Sequence, residues 1–402
     1  MTRTVEGGVS HSSEEECDWV CESDDQYDED MIHSRYLVTA KNKKSLDKLP
    51  KKLEKNDECK DTAKVVRTTE SLMFMAVVQM TTECAEEVRE WGYEIERNSY
   101  HFTDAVNVEW HLDRIRNTGS TLLTPQIPFQ INGNDGEGAT IFVLDTGIYA
   151  EHEQFANTEV THVQLSPEST LSGSNEGDPN GHGTQVASAA VGKDYGVAKK
   201  AKLKSVRVAN ENGQAFTEDC IFGFEAVKNS NPSDKCVVTF SLSGGQSEML
   251  ETAINELIDQ TQCVVVVSAG NDNTDACSFT PARMSQAFSQ VITVGASRIK
   301  EDVDRKAGFS NHGGCVDIYA PGHKMILADK SGPTATVKTS GTSFSAPLVA
   351  GAAAVLLSNG VSRDNVKQTL LDLALTNKLG GLPSGSNNLL LNVADLPVVS
   401  RR

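Results

Sequence analysis

Residues 264–270 read VVVVSAG, four consecutive valines running straight into small residues. A strand with one wet face alternates apolar and polar side chains. An unbroken apolar run therefore suits a strand covered on both faces, as in a parallel sheet. The run extends over Cys263–Ser268, and similar short runs lie at Thr140–Leu144, Leu203–Val208, Val237–Leu242 and Val291–Val294. Helical stretches separate them. From about residue 106 onward, alternation of strand and helix predicts an α/β domain with a mainly parallel sheet. At about 300 residues it can bury a large core without staples.

Before that point the pattern differs. Tyr36–Ala40, Lys64–Thr69, Met73–Met80 and Tyr93–Arg97 read as strands. A Lys/Leu/Asp stretch broken by Pro50 follows the first of them, and Thr82–Trp91 reads as a helix. The order βαββαβ is the split-βαβ, ferredoxin-like α+β plan. Three segments result: an acidic tail over 1–34, a small domain over 35–101 and a large domain over 102–397.

Charge follows the same division. Residues 1–30 hold one basic and eleven acidic residues, residues 31–101 thirteen and twelve, and the whole chain 37 and 55 for a net −18. The first stretch reads as a solvated, disordered tail. So negative a chain is not expected to bind a nucleic-acid backbone or an anionic membrane surface. The longest apolar run, Leu348–Leu357, is too short to span a bilayer. The start, MTRTVEGGVSHSSEEECDW, has no apolar run of the signal-peptide kind. Nine cysteines are too sparse for a disulfide scaffold and lack paired CxxC spacing. Cys59 and Cys84 can pair within the small domain, and Cys263 reads as a buried strand thiol.

Three segments place reactive side chains at strand ends or helix starts. In IFVLDTGI (141–148) an apolar strand ends in Asp145, where a carboxylate needs a partner or caps a turn. In NGHGTQVASAAVG (180–192) His182 stands between glycines before a helix of small residues, a place that suits a structural or a catalytic histidine. In SGTSFSAPLVAGAAAVLL (340–357) Ser343 opens a second small-residue helix. There it is either an N-cap or a hydroxyl at the positive end of the dipole. Pro347 is expected within that helix's first turn.

Taken together, Asp, His and Ser in that order, within D-T-G, G-H-G-T and G-T-S-x-S-A-P, resemble the subtilisin-like serine proteases. The proteinase K-like branch is nearest. The resemblance runs from Trp110–Ile115 to LPSGSNNLLLNV near residue 393, and takes in HEQF (152–155) and YGVAKKAKL (195–203). Residues 35–101 resemble the inhibitory propeptide of the same proteases.

The resemblance implies a serine endopeptidase made as a self-processing zymogen, cut between about Tyr100 and Val106. Ser343 would be the nucleophile, His182 the general base and then acid, and Asp145 the group that orients the imidazole. Asn271 would join the Ser343 backbone N–H in the oxyanion hole. Ser241, Leu242, Ser243 and Gly244 would form one wall of the substrate cleft by strand addition, and Ser268, Ala269 and Gly270 the other. Phe279 matches an aromatic position near the primary pocket floor, which implies broad specificity with an apolar or aromatic preference. Cys277 and Cys315 match a disulfide of aqualysin-like relatives. Asp317, with carbonyls near Ser289 and Val291, matches a calcium site. No cofactor is required for the chemistry, so calcium would be structural. The expected partners are polypeptide substrates and the chain's own propeptide, in a monomer that is secreted or lumenal (vacuolar or extracellular).

Departures from the family strings touch none of the four chemical positions. Gln185 and Ser188 stand in the string usually written GHGTHVAG, and Phe344, Ser345, Ala346 and Leu348 vary GTSMATPHVAG. Ser243 lies where a glycine usually flanks the substrate. A catalytically silent or permanently inhibited binding protein on the same fold is the competing reading. An α/β-hydrolase esterase fails, because Ser345 stands where G-x-S-x-G needs its second glycine and the residue order is wrong.

Overall fold

The computed structural model describes residues 35–69, 74–97, 109–117, 129, 131, 133–167, 169, 171, 177–300 and 303–398. The acidic tail, Cys17 and Cys21, and the expected processing segment lie outside them. The chain divides into two units, Met1–Thr103 and Asp104–Arg402.

The first unit runs β1 (Arg35–Thr39), α1 (Lys43–Leu46), α2 (Leu49–Leu53), β2 (Lys64–Thr69), β3 (Met75–Gln79), α3 (Thr82–Glu90) and β4 (Glu94–Arg97). Its sheet has the order β2-β3-β1-β4, with every neighbouring pair antiparallel. Pro50 does not break a helix here. It lies in the first turn of α2, where its missing N–H costs nothing, so it helps start that helix. Val38, Ala76, Val78, Leu49 and Val88 fill the core, and a Cys59–Cys84 disulfide ties the segment after α2 to α3.

In the second unit, α4 (Trp110–Arg116) precedes β5 (Thr140–Asp145), β6 (Val160–Val163), α5 (His182–Val191) and β7 (Lys202–Arg207). Then come α6 (Thr217–Asn229), β8 (Cys236–Phe240), α7 (Glu248–Gln260), β9 (Val264–Ser268), β10 (Val291–Lys300), β11 (Val303–Lys306) and β12 (Ile318–Pro321). A hairpin of β13 (Met325–Ala328) and β14 (Thr336–Thr339) leads to α8 (Thr342–Ser358), α9 (Arg363–Leu373), β15 (Leu375–Thr376) and β16 (Leu389–Leu390). The large sheet has the order β15-β16-β12-β10-β9-β8-β5-β7-β6, with β11 on β10. Its pairs are parallel except β10/β11 and β15/β16.

Alternate residues of each central strand feed opposite cores, which is why the strands read as continuous apolar runs. Ile141, Val143, Val264 and Val266 meet the face covered by α5 and α8, whereas Phe142, Leu144, Val265 and Val267 meet α6 and α7. Every residue of α8 is buried. Its small residues let it press on α5: a side chain at Gly351 would fall 2.9 Å from the Ala190 carbonyl oxygen. Among the described residues, no single helix is long and apolar enough to cross a membrane.

Two expectations need correction. Pro347 is the sixth residue of α8, not part of its first turn, so the Ser343 carbonyl loses its helical donor; the Ser241 hydroxyl supplies one instead, at 2.9 Å. Cys263 is not a free thiol. It bonds Cys236, because the two stand at the starts of adjacent parallel strands with Cα atoms 4.4 Å apart. Cys277 and Cys315 are also bonded, and Cys220 remains a buried thiol.

Candidate active site

The strand order reverses at β5: the chain first runs to the edge at β6 and returns through β7, then crosses β5 to β8 and onward to β12. In open α/β sheets, crevices for ligands form at the carboxyl ends of strands at such a point. Asp145 is the last residue of β5 and fully buried. Its Oδ1 accepts from His182 Nδ1 at 2.8 Å and from the Thr146 N–H at 2.7 Å. A carboxylate only accepts from a neutral imidazole, so Nδ1 carries the proton and Nε2 is left as a base. Asp145 Oδ2 is buried with no partner among the described residues. The helix bearing His182 sits tight against the strand end, since a Cβ at Gly183 would lie 2.1 Å from the Gly147 carbonyl oxygen.

Asp178, which the sequence reading passed over, organises this corner. One carboxylate oxygen accepts from the Thr146 hydroxyl and from the N–H groups of Asn180 and Gly181, and the other from the Thr184 N–H and hydroxyl. Thr146 Oγ1 in turn accepts from the Gly183 N–H at 2.9 Å. Burial presses the His182 pKa down, but the carboxylates of Asp145 and Asp178 outweigh it and hold it above 6.5.

Ser343 lies in the first turn of α8, which packs on α5, and its neighbour Phe344 sets its ring 5.3 Å from that of His182. The Ser343 hydroxyl donates to the Ser241 carbonyl at 3.2 Å; no hydrogen bond joins it to His182 in this structure. Catalytic hydrogen bonds commonly tighten only when substrate binds. Asn271 follows β9 and its Gly270. Its Oδ1 accepts from the Thr342 N–H and hydroxyl, both at 2.9 Å. Because an N–H can only donate, the side chain's orientation is fixed, and Nδ2 is left without a partner among the described residues beside the start of α8.

The two expected cleft walls face one another. Ser243 and Gly244 are exposed, Ser241 is buried by its exchange with Ser343, and a Cβ at Gly270 would lie 3.5 Å from Ser243 Oγ. Ser268 and Ala269 are buried at the end of β9. Gly244 pairs with Thr280 through 3.1 and 3.2 Å backbone bonds, and Leu242, Ser243, Gly244 and Thr280 help line a cavity of about 300 Å³. Phe279 is half-buried and packs on the cluster that includes Ala269 and Cys315. Asn311 was also missed. Fully buried, it donates to the Ala269 carbonyl and accepts from the N–H groups of Asp272 and Thr274, bracketing the Asn271 loop.

Asp317 does not fit the calcium expectation. Its Oδ1 is 2.9 Å from Lys367 Nζ, and its Oδ2 accepts from the Thr293 N–H at 2.8 Å. The same ammonium donates to the carbonyls of Ser285 (2.7 Å) and Val291 (3.0 Å); Ser289 is not in its shell. An already compensated carboxylate leaves no place for a second cation, and no group of three metal-ligating side chains occurs among the described residues.

A mostly parallel sheet between two helix layers, with Asp145, His182 and Ser343 on β5, α5 and α8, defines a subtilisin-like α/β fold. A solved cold-adapted subtilisin-like serine proteinase matches it with a TM-score of 0.64 and 34% identity, over 71% of this chain and 98% of that one. Residues 136–390 match the Subtilase family, and the chain belongs to that family. It is 37% identical over 306 residues to the subtilase-type proteinase psp3 of Schizosaccharomyces pombe, covering 74% of this chain and 65% of psp3. A subtilisin-like serine protease of Rhodotorula mucilaginosa, Rho m 2.0101, is 34% identical over 74% of this chain and 90% of its own length. An extracellular serine proteinase of Thermus sp. is 39% identical over 64% of this chain and 60% of its own.

Proposed function

We propose that this chain is a serine endopeptidase that cuts polypeptides through an acyl-enzyme and is made as a self-processing zymogen. Ser343 attacks the peptide carbonyl, His182 Nε2 takes its proton and returns it to the leaving amine, and Asp145 holds the imidazole tautomer and stabilises the imidazolium. The Asn271 amide and the first-turn N–H of Ser343 stabilise the oxyanion. The observation that carries this reading is the Asp145–His182 pair at 2.8 Å on the strand where the sheet order reverses. Exposed Ser243 suits an extended peptide, the Gly244 backbone being already paired with Thr280, and the half-buried Phe279 favours an apolar or aromatic residue before the scissile bond. Residues 35–101 act as an inhibitory propeptide, and the three disulfides among the described residues fit a secreted or lumenal life.

Fluorophosphonate labelling of the purified chain and of Ser343→Ala, read by intact mass, tests the proposal. The expected result is a labelled species of about 300 residues, close to the unit Asp104–Arg402, that is missing from the variant. An unlabelled full-length chain that stays unlabelled after limited trypsin treatment would identify a silent binding protein instead.

A further inference from the structure

The Lys367 ammonium has three N–H donors and no acceptor, and each donor meets an oxygen: Asp317 Oδ1, the Ser285 carbonyl and the Val291 carbonyl. A carboxylate and two carbonyls converging on one point are hard donors of the kind that hold calcium. Here they close on nitrogen, at 2.7–3.0 Å, the range of charge-assisted N–H···O bonds and longer than calcium–oxygen distances. The pair is enclosed, with the Lys367 side chain 12% exposed and that of Asp317 7%. We propose that Lys367 is a built-in cation that takes the place of a structural calcium ion at Asp317, so that this region is held together without metal.

The position of the lysine explains what it holds. Asp317 immediately precedes β12 and is bonded through its backbone and carboxylate to Thr293 of β10. Ser285 belongs to the short 3-10 helix after Phe279 and Thr280, and the Thr293 hydroxyl donates to the Ala282 carbonyl in that helix. One ammonium on α9 thus joins three segments behind the expected primary pocket. One helical turn earlier Arg363 does similar work, donating to the Ile258 and Thr261 carbonyls at the end of α7. A tethered ammonium is present at every calcium concentration, whereas a bound ion stabilises by an amount that grows with its free concentration relative to its Kd.

Thermal unfolding of the full-length chain carrying Ser343→Ala, which cannot digest itself, tests the proposal in millimolar calcium and in excess chelator. A parent melt that chelation leaves unchanged supports it directly. Where calcium bound elsewhere raises the parent's Tm, adding Asp317→Asn is expected to leave that calcium increment intact. Loss of the increment in Asp317→Asn would show calcium at Asp317 and overturn the proposal. Lys367→Met, which strands a buried carboxylate, is expected to lower Tm in chelator by roughly 5 °C or more. A calcium increment that appears with Lys367→Met and vanishes on adding Asp317→Asn supports the exchange of one cation for the other. An unchanged Tm for Lys367→Met would refute it. Should Lys367→Met fail to fold, the parent and Asp317→Asn melts still decide.

Discussion

On the proposed triad, His182 sets the pH range in which Ser343 can act. The base must be neutral, and an ordinary imidazole places the acid limb of kcat/KM near pH 6.5. Here the carboxylates of Asp145 and Asp178 favour the imidazolium beyond what burial takes away, so the folded pKa is raised. The limb is therefore expected above pH 6.5, with activity falling as pH drops through the raised value. Asp178→Asn should move the limb down in a pH–rate profile; an unmoved limb would leave Asp178 a purely structural role. Asn271 has a narrower task. Oδ1 is fixed by Thr342, and on the same proposal Nδ2 would meet charge that develops only in the transition state. Asn271→Ala is expected to lower kcat by roughly 10²–10³ with little change in KM, whereas a loss on the scale of Ser343→Ala would mean it holds the β9 end in place. Asp145, His182, Ser343 and Asn271 were legible because each lies in a short contiguous string. Asp178 and Asn311 were not, since their work is to accept or donate bonds between segments far apart in the chain; for the same reason Ser241 was readable as a cleft wall but not as the donor to the Ser343 carbonyl.

Elements are joined here by buried polar groups as well as by apolar faces, and α4 is an example. His111 is fully buried, and its Nε2 must donate to the Tyr195 carbonyl at 3.0 Å, because that carbonyl can only accept. Nδ1 is then buried with no partner among the described residues. Burial, with a smaller contribution from Lys199 against the Tyr195 bond, pushes the His111 pKa down to about 4. Between the ordinary 6.5 and 4 the unfolded chain binds a proton that the folded chain refuses, so stability falls as pH falls through that window. The difference amounts to about 3 kcal/mol at its lower end. Urea midpoints of the Ser343→Ala chain from neutral pH to below pH 5 should decline. His111→Gln, which keeps a donor for Tyr195, should decline less; parallel curves would remove His111 as the cause. The sequence reading passed over this histidine because nothing around Trp110–Ile115 tells a buried imidazole from a surface one. It mistook Cys263 for the same reason, since only the register of β8 beside β9 brings Cys236 within bonding distance.

At the scale of the whole molecule the parallel sheet was readable, because strands buried on both faces leave unbroken apolar runs at Thr140–Leu144 and Val264–Val267. The order of the strands was not, as apolar runs carry no information about their neighbours. That order has a kinetic consequence. β5, an interior strand, cannot complete its pairing until Ile141 meets Val237, and β12 waits for Tyr319 to meet Leu390. Pairings so distant in sequence delay the reward for ordering the chain, and parallel sheets are slow to form for that reason. The first unit has its own sheet, core and disulfide, built from contacts within residues 35–97. On the propeptide reading it forms first and speeds the second. Residues 104–402 refolded alone are therefore expected to recover fluorophosphonate-reactive protein slowly and in low yield. Adding residues 1–103 as a separate chain should raise the rate, and Cys59→Ala/Cys84→Ala in that added chain should weaken the effect. Equal recovery with and without the first unit would show that the large sheet finds its strand order unaided, and would restrict the first unit to inhibition.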